Sequence, residues 1–145
     1  MSKRPVRDAL DRLVGWYETL TPETLERITE IYAQDAHFKD PFNDVTGRAA
    51  IRRVFAHMFA TTGAPQFRIL ARVAGEGEAF VTWCFAFRAA RRAFEIRGAT
   101  HLVFDARGKV VEHRDYWDAA EELYAKLPVL GGLLRLLGRR FRTPD

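Results

Sequence analysis

The 145-residue sequence has only one cysteine and no run of apolar residues long enough to span a bilayer. The single Cys84 cannot form an intramolecular disulfide, and its place in the apolar stretch 80–87 predicts a small buried hydrophobic residue. A membrane-spanning helix needs about 18 consecutive apolar residues, and the N-terminus lacks the apolar core of a signal peptide. We therefore expect a cytoplasmic protein.

Concentrated charge of one sign and the common cofactor motifs are also missing. The 19 acidic residues are dispersed among the 23 basic ones. The arginine clusters at 88–92 and 135–142 lack the spaced aromatic residues on which nucleic acid bases stack. The four histidines have no metal-ligand spacing, and neither a glycine-rich phosphate loop nor a nucleophile elbow occurs. These absences predict no nucleic-acid partner, no metal and no cofactor.

Large aromatic residues, in contrast, are abundant. The sequence contains 11 Phe, 4 Tyr and 3 Trp, more than a minimal core of this length requires, so part of this surface is expected to line a pocket or an interface. A chain of this length buries about two-thirds of its unfolded surface in one core. A single domain over residues 1–145 is therefore predicted.

Apolar periodicity predicts helices first and strands afterwards. Helical spacing covers 8–20, 22–32 and 48–61, and a short strand at 37–40 separates the second helix from the third. Four strands follow as a meander: they cover 67–73, 79–87, 94–104 and 109–118. Helices and strands do not alternate as a doubly wound sheet requires, so the fold class is α+β.

The predicted strand 79–87 is apolar on both faces and therefore needs cover on both sides. The helices supply one cover, and a partner subunit is the simplest second one, which predicts a homodimer through the convex face of the sheet. The C-terminal residues 119–145 are predicted as a helical extension that begins at the Asp118 capping box. Leucines and arginines interleave in its last part, as in helices on membrane surfaces. Because three glycines weaken it as an isolated helix, we expect it to pack against protein instead.

Two segments resemble proteins of one superfamily. Residues 31–55, IYAQDAHFKDPFNDVTGRAAIRRVF, resemble the stretch of ketosteroid isomerases in which an Asp-Pro pair leads through a glycine into the third helix. Residues 104–117, FDARGKVVEHRDYW, are similar to the last hairpin of SnoaL-like polyketide cyclases. The resemblance, to the nuclear transport factor 2-like superfamily, covers about residues 10–118. It implies a cone-shaped fold, in which a curved, mainly antiparallel sheet wraps around three N-terminal helices and encloses an apolar cavity.

The resemblance also implies roles for individual residues. Asp40 stands where the isomerases have their general base, and Tyr17 where they have a tyrosine that donates a hydrogen bond to the enolate oxygen. Their second donor is a protonated aspartic acid, for which this sequence has Thr100, a weaker donor to an enolate. The steroid isomerase reaction itself is therefore not predicted. The remaining residues expected to bind the ligand are Trp16, Phe38, Phe55, Met58, Phe59, Trp83, His113 and Trp117.

The last predicted hairpin suggests a second acid–base set. A three-residue loop after Asp105 would set His101 opposite His113 and put both on the same face as Asp115. This arrangement resembles the cyclases, with Asp115 as base and His101 as proton donor. A shift of register by one residue would send His101 to the outer face. A purely structural hydrogen bond between His113 and Asp115 is the other interpretation.

These observations favour a cofactor-independent isomerase or cyclase that moves a proton on a small hydrophobic ketone or polycyclic substrate, with Asp40 or Asp115 as base. One alternative is a module that binds a small hydrophobic ligand without catalysis, because a fold alone does not decide chemistry. Another is an epoxide hydrolase of the limonene epoxide hydrolase type. That reaction needs an Asp-Arg-Asp set, for which Arg97 and Arg114 are candidates.

Overall fold

The computed structural model describes residues 3–140 and 142–144. Its N-terminal half contains α1 (Lys3–Glu18), a 3-10 turn (Thr24–Arg27), α2 (Ile28–Ile31), β1 (Tyr32–Lys39), β2 (Asp44–Thr46) and α3 (Arg48–Thr61). Its C-terminal half contains β3 (Gly63–Ala74), β4 (Glu78–Ala89), β5 (Arg92–Phe104), β6 (Val110–Tyr116), α4 (Ala119–Glu122), a second 3-10 turn (Tyr124–Lys126) and α5 (Pro128–Gly138).

The strands form one curved sheet in the order β2-β1-β6-β5-β4-β3. The pair β1 and β6 is parallel, and the other neighbouring pairs are antiparallel. Helix α1 packs against β3 and helix α3 against β1, so the concave face of the sheet is covered by helices. The predicted α+β cone, with a mainly antiparallel sheet around N-terminal helices, is confirmed.

The core lies between α1 and the concave face of the sheet. Leu10 and Leu13 of α1 and Ile51 of α3 are fully buried, as are Leu102 of β5 and Val110 of β6. Each such side chain contributes about 1.5–3 kcal/mol when it leaves water. The helical spacing of the apolar residues in α1 therefore fixes which face of that helix points to the sheet.

The predicted second helix, 22–32, differs from the structure at both ends, because residues 24–27 form a 3-10 turn and the helix stops one residue early. Helix α2 ends at Ile31, and Tyr32, which we assigned to the helix, is the first residue of β1. Tyr32 pairs with Val110 of β6 and is fully buried. Pairing with a distant strand therefore outweighs the local helical spacing, and β1 is longer than the predicted strand 37–40.

A single chain buries strand β4 mainly on its inner face, and the partner subunit predicted to cover the other face stays a prediction. Val81 and Trp83 point inward and are buried, whereas Phe80 points outward and is 47% exposed. Leu70 and Val73 of β3 and Tyr116 of β6 are likewise exposed. Within one chain, the convex face of the sheet is therefore an uncovered surface with several large apolar residues.

The C-terminal extension contains helix α5, but most of its leucines do not pack against the domain. Five apolar residues of this helix are exposed: Val129, Leu130, Leu133, Leu136 and Leu137. We expected this helix to pack against the domain or a partner; the domain does not cover these five residues, because α5 makes its close contact through Gly131 instead, and packing against a partner stays a prediction. No helix in the described part of the chain is long and apolar enough to cross a membrane.

His37 connects three strands at the edge of the sheet. Its Nδ1 lies 2.5 Å from Oε1 of Glu112 on β6, and its Nε2 lies 2.5 Å from Oδ1 of Asp44 on β2. The hydrogen bonds to Asp44 and then to Glu112 favour the imidazolium and raise the pKa of His37. The contact with His37 in turn lowers the pKa of Asp44. The charged form of His37 therefore stabilises this edge.

We predict that this contact makes stability depend on pH. Because the folded state binds the His37 proton more tightly than the unfolded chain, the stabilisation is present below the unfolded-state pKa and is lost as the pH rises through the raised folded-state pKa. His37→Gln should therefore reduce the fall in urea midpoint between pH 6 and pH 9. His57→Gln, on an exposed position of α3, is the control. An unchanged pH profile in His37→Gln would contradict the prediction.

Candidate functional site

A cavity of about 530 Å³ lies between the concave face of the sheet and helices α1 and α3. This volume falls in the range of about 300–1,000 Å³ that is typical of small-molecule sites. Most of its lining is apolar. The lining side chains include Leu13, Phe38, Val54, Phe55, Met58, Phe67, Ile69, Val81, Trp83, Phe85, Phe87, Ile96, Leu102 and Trp117.

Aromatic rings form the wall and the mouth of the cavity. Phe67 and Phe85 stack with their ring centroids 4.4 Å apart on the β3–β4 side. Phe42 lines the cavity but is 55% exposed, so it lies where the cavity meets solvent. Its ring contacts Trp117 edge-to-face at 5.5 Å. Phe42 and Trp117 therefore border an opening of the cavity, and the interior behind them is predominantly apolar.

One chain of hydrogen bonds brings polar groups into this apolar space. Trp83 Nε1 donates to Thr100 Oγ1 at 2.8 Å, and Thr100 Oγ1 donates to Asp115 Oδ1 at 2.5 Å. His113 Nε2 lies 2.7 Å from the same oxygen. Within the described residues, no hydrogen bond reaches Oδ2 of Asp115. The carboxylate is thus fixed through one oxygen, and its side chain, 16% exposed, lines the cavity.

The other side of His113 contacts two tyrosines. Its Nδ1 lies 2.8 Å from the hydroxyl of Tyr32 and 3.2 Å from that of Tyr17, and the two hydroxyls are 2.5 Å apart. Burial raises the pKa of both tyrosines, and the negative charge of Asp115 adds to the effect. Both hydroxyls therefore stay protonated and remain hydrogen-bond donors.

These contacts are consistent with one assignment of hydrogen-bond donors and acceptors. A neutral His113 that donates from Nε2 to the Asp115 carboxylate must accept at Nδ1. Tyr32 is the nearer donor to Nδ1, and Tyr17 then donates to Tyr32. The ring of His113 is also held by Phe38, whose centroid is 4.5 Å away. Of these groups, Tyr17 and Asp115 line the cavity on either side of His113.

Gly98 makes room for this arrangement. It pairs with Trp83 across β4 and β5, and a Cβ at this position would lie 2.6 Å from the Trp83 ring and 3.0 Å from Cβ of Trp117. A real Cβ contact is never that short, so only glycine lets the indole lie flat over β5. The indole then reaches Thr100, which in turn fixes Asp115.

The charges of the cavity select against anions. Asp40 and Asp115 line it, and no lysine or arginine does so in the part of the chain that the structure describes. The candidates for the Asp-Arg-Asp set of an epoxide hydrolase both point away: Arg97 is exposed on the convex face, and Arg114 lies over the ring of Tyr116 at 5.0 Å. The cavity therefore suits neutral or cationic ligands rather than carboxylates or phosphates.

Most of the predicted site residues come together at the cavity, with exceptions. Phe38, Asp40, Phe55, Met58, Trp83, Thr100, His113, Asp115, Trp117 and Tyr17 line it. Trp16 does not: it is buried in the core, and its Nε1 donates to the carbonyl of Thr24. Phe59 packs against the core from a half-buried position outside the lining. Helical spacing places such residues on an inward face but does not separate core from lining.

His101 lies on the convex face, so its predicted position in the cavity is wrong. The register that we predicted holds next to the turn, where Phe104 pairs with Val110, but a bulge then adds Val111 to β6. Beyond the bulge, Thr100 pairs with Asp115 and His101 with Arg114. His101 instead bonds Glu78 and stacks on Phe80 outside the cone. The histidine beside Asp115 is therefore His113.

Asp40 lines the cavity mouth, but its carboxylate is engaged in a turn. Oδ1 accepts hydrogen bonds from the backbone N–H of Phe42 at 2.8 Å and of Asn43 at 2.7 Å, and the Asn43 side chain reaches both oxygens. Such an Asx turn is a common structural use of Asp before Pro. Asp40 therefore shapes the entrance beside Phe42.

Tyr32 is the functional residue that the sequence analysis missed. Its hydroxyl is the nearest partner of His113 Nδ1, although the side chain is fully buried behind the cavity. Assignment to the second helix concealed it. The signal was present, because Tyr32 belongs to the segment 31–55 that carries the resemblance to isomerases.

The cone of sheet and helices around an apolar cavity is that of the nuclear transport factor 2-like superfamily. Residues 13–113 match the model of the SnoaL-like domain, and the chain belongs to this family. No curated protein matches the sequence. Within the described residues, no three His, Cys, Asp or Glu side chains are grouped as a metal site.

Solved structures from several bacteria have a similar fold. A hypothetical protein of Catenulispora acidiphila with a ketosteroid isomerase-like fold, in complex with trimethylamine, is 16% identical, with a TM-score of 0.70 over 83% of this chain and 94% of its own. An NTF2-like protein of unknown function from Exiguobacterium is 16% identical, with a TM-score of 0.66 over 76% and 98%. An LEH-like epoxide hydrolase of M. tuberculosis is 15% identical, with a TM-score of 0.70 over 94% and 98%. At these identities the similarity concerns the fold alone.

We predict that Gly98→Ala disturbs the site through Trp83. The new methyl group displaces the indole and should lower the free energy of unfolding by about 1–3 kcal/mol, while the loss of the Trp83–Thr100 hydrogen bond weakens binding of a phenol in the cavity. Urea unfolding and quenching of Trp fluorescence by 2-naphthol measure the two effects. Gly15→Ala is the control, because nothing lies within 4 Å of its Cβ position in α1. Equal behaviour of both variants would contradict the prediction.

Proposed function

We propose that this protein is a cofactor-independent isomerase or cyclase, which transfers a proton within a small hydrophobic ketone or polycyclic substrate bound in the cavity. The observation that carries the proposal is Asp115. A carboxylate stands in an otherwise apolar cavity with one oxygen fixed by Thr100 and His113 and the other without a hydrogen bond from the described residues. A partly desolvated and oriented carboxylate suits abstraction of a proton next to a carbonyl group.

Asp115 is a better candidate for the base than Asp40. Both oxygens of Asp40 accept hydrogen bonds from the turn that it closes, whereas Oδ2 of Asp115 receives none from the described residues and can face a substrate. In our proposal, Asp115 takes a proton from the carbon beside the carbonyl and returns it to another carbon of the same substrate. Asp40 instead holds the turn at the mouth of the cavity in place.

Tyr17 is the candidate donor to the developing enolate oxygen. It lines the cavity, its hydroxyl stays protonated, and it is separated from Asp115 by the imidazole of His113. In the unliganded cavity, Tyr17 donates to Tyr32. A substrate carbonyl replaces this acceptor, so the same proton stabilises negative charge that forms on the substrate oxygen.

The second candidate function is binding of a small hydrophobic ligand without turnover. The observation in its favour is that hydrogen bonds run without a break from Trp83 to Tyr17, and no buried side-chain N or O atom of the described residues lacks a partner, as a purely structural network also requires. The relative that was solved with trimethylamine indicates that this fold accommodates small amines. Aromatic rings next to carboxylates would suit such a cation here.

We predict that Asp115→Asn separates catalysis from binding. Thr100 and His113 both donate to Oδ1, so an amide oxygen can accept both bonds while the variant loses its proton acceptor. Deuterium uptake by 2-tetralone in D₂O, followed by proton NMR, should fall by about 10²–10⁴-fold. Binding of 2-naphthol, which resembles the enol of this ketone, should be retained.

Asp40→Asn is the matched control, because asparagine forms the same turn and should leave exchange within about threefold of the wild type. An Asp115→Asn protein that exchanges like the wild type would exclude Asp115 as base. Binding of 2-naphthol by a wild-type protein that causes no exchange above background would favour the binding module.

We further propose that two copies associate through the convex face of the sheet. The support is the group of exposed apolar side chains on that face, Leu70, Val73, Phe80 and Tyr116. Several large apolar side chains exposed on one face mark an interface more often than a solvated face. The convex face lies opposite the cavity, so association leaves the mouth accessible.

We expect the dimer to depend on Phe80. Light scattering should give twice the chain mass for the wild type and a monomer mass for Phe80→Glu, because a buried unpaired charge is costly at an interface. Val129→Glu introduces the same charge on α5, where the residue is 87% exposed, and should leave the mass unchanged. A monomeric wild type at working concentration would remove this part of the proposal.

A further inference from the structure

Helix α5 contacts the domain through one narrow side only. Gly131 is buried against the second 3-10 turn, and a Cβ there would lie 2.2 Å from the carbonyl oxygen of Ala125. Arg135 Nη1 donates to the same oxygen at 3.2 Å. Since only glycine permits this approach, the contact fixes which side of α5 faces the protein and which side faces outward.

The outward side of α5 is apolar. It consists of Val129, Leu130, Leu133, Leu136 and Leu137, which we call the leucine strip, and whose exposure ranges from 38% to 87%. At about 100° per residue, these positions share one face that covers about a third of the circumference of the helix. Helices of soluble proteins normally turn such an apolar face toward the core, whereas α5 turns it toward the solvent.

The charge around the leucine strip has one sign. The sequence contains no aspartate or glutamate from residue 123 to residue 144, whereas Arg135, Arg139, Arg140 and Arg142 all fall in its last part. None of these four arginines has a salt bridge with a described residue. Only Gly138 separates Arg139 and Arg140 from Leu137, the last residue of the leucine strip, so apolar surface and positive charge without a salt bridge to the described residues are adjacent in the chain.

We propose that the leucine strip, together with Arg139, Arg140 and Arg142 beyond its C-terminal end, binds an anionic lipid surface. Leucines on one side and arginines at the border are the features with which interfacial helices insert between lipid headgroups. A helix of 11 residues is about half as long as the hydrocarbon core of a bilayer is thick, so α5 lies on the membrane. Parallel pairing of α5 with a second α5 is disfavoured, because it would bring the arginines of two copies together, and antiparallel pairing would leave these arginines without a partner of opposite charge from α5.

This inference is independent of the chemistry in the cavity. Sedimentation with phosphatidylcholine vesicles, with and without phosphatidylglycerol, tests it on the full chain. We expect the wild type to bind only the vesicles that contain phosphatidylglycerol, and high salt to weaken binding by screening. Arg139→Glu/Arg140→Glu should weaken it at least tenfold, since each basic residue near such a surface contributes about fivefold in affinity.

Leu133→Glu/Leu136→Glu should abolish binding, because both side chains belong to the leucine strip and neither supports the core. Arg7→Glu/Arg107→Glu is the control for Arg139→Glu/Arg140→Glu, because it changes the net charge by the same amount at two exposed positions outside α5. It should bind like the wild type. Unchanged thermal unfolding and 2-naphthol binding in every variant show that the fold is retained.

Three results would overturn the inference. The first is a wild type that does not sediment with phosphatidylglycerol vesicles, and the second is a control variant that loses as much binding as the α5 variants. The third is a larger mass in light scattering that Leu133→Glu/Leu136→Glu reduces, because the leucine strip would then be an interface between copies of the chain.

Discussion

The hydrogen-bond chain from Trp83 through Thr100, Asp115 and His113 to the tyrosines is the interaction on which the site depends. Placing a carboxylate in an apolar cavity costs free energy unless other groups share its charge. Here two donors converge on one oxygen of Asp115, and in the described residues no buried side-chain N or O atom lacks a partner. The network therefore stabilises the charged Asp115 inside the apolar cavity and leaves its second carboxylate oxygen available to a ligand.

The fold could be predicted from the sequence because its elements have strong local patterns. The predicted bounds of the third helix, Arg48–Thr61, agree with α3. The strand meander was recognised because the apolar residues in 94–104 do not have helical spacing. The second helix failed for the opposite reason. Residues 28–32 have helical spacing, but the partner that makes Tyr32 a strand residue is Val110, which is far away in the sequence.

The candidate site was predictable in part. Asp115, Thr100 and His113 were recognised, but the position of His101 depended on the register of one hairpin. The residues of the turn predict the first pair of residues next to it, but they do not reveal a bulge farther along the strand. The bulge is favoured because it lets both Val110 and His113 pack in the core. The charge of the cavity lining could also not be predicted from the sequence, because it depends on which arginines point outward.

The bulge at Val111 also decides which charges line the cavity. Val110 pairs with Phe104 before the extra residue, and Asp115 pairs with Thr100 after it. If β6 paired with β5 without this bulge, every residue beyond Val110 would turn to the opposite face, because side chains alternate along a strand. Arg114 and Tyr116 would then project into the cone, and His113 and Asp115 out of it, so the acidic character of the lining depends on where the strand accommodates one extra residue.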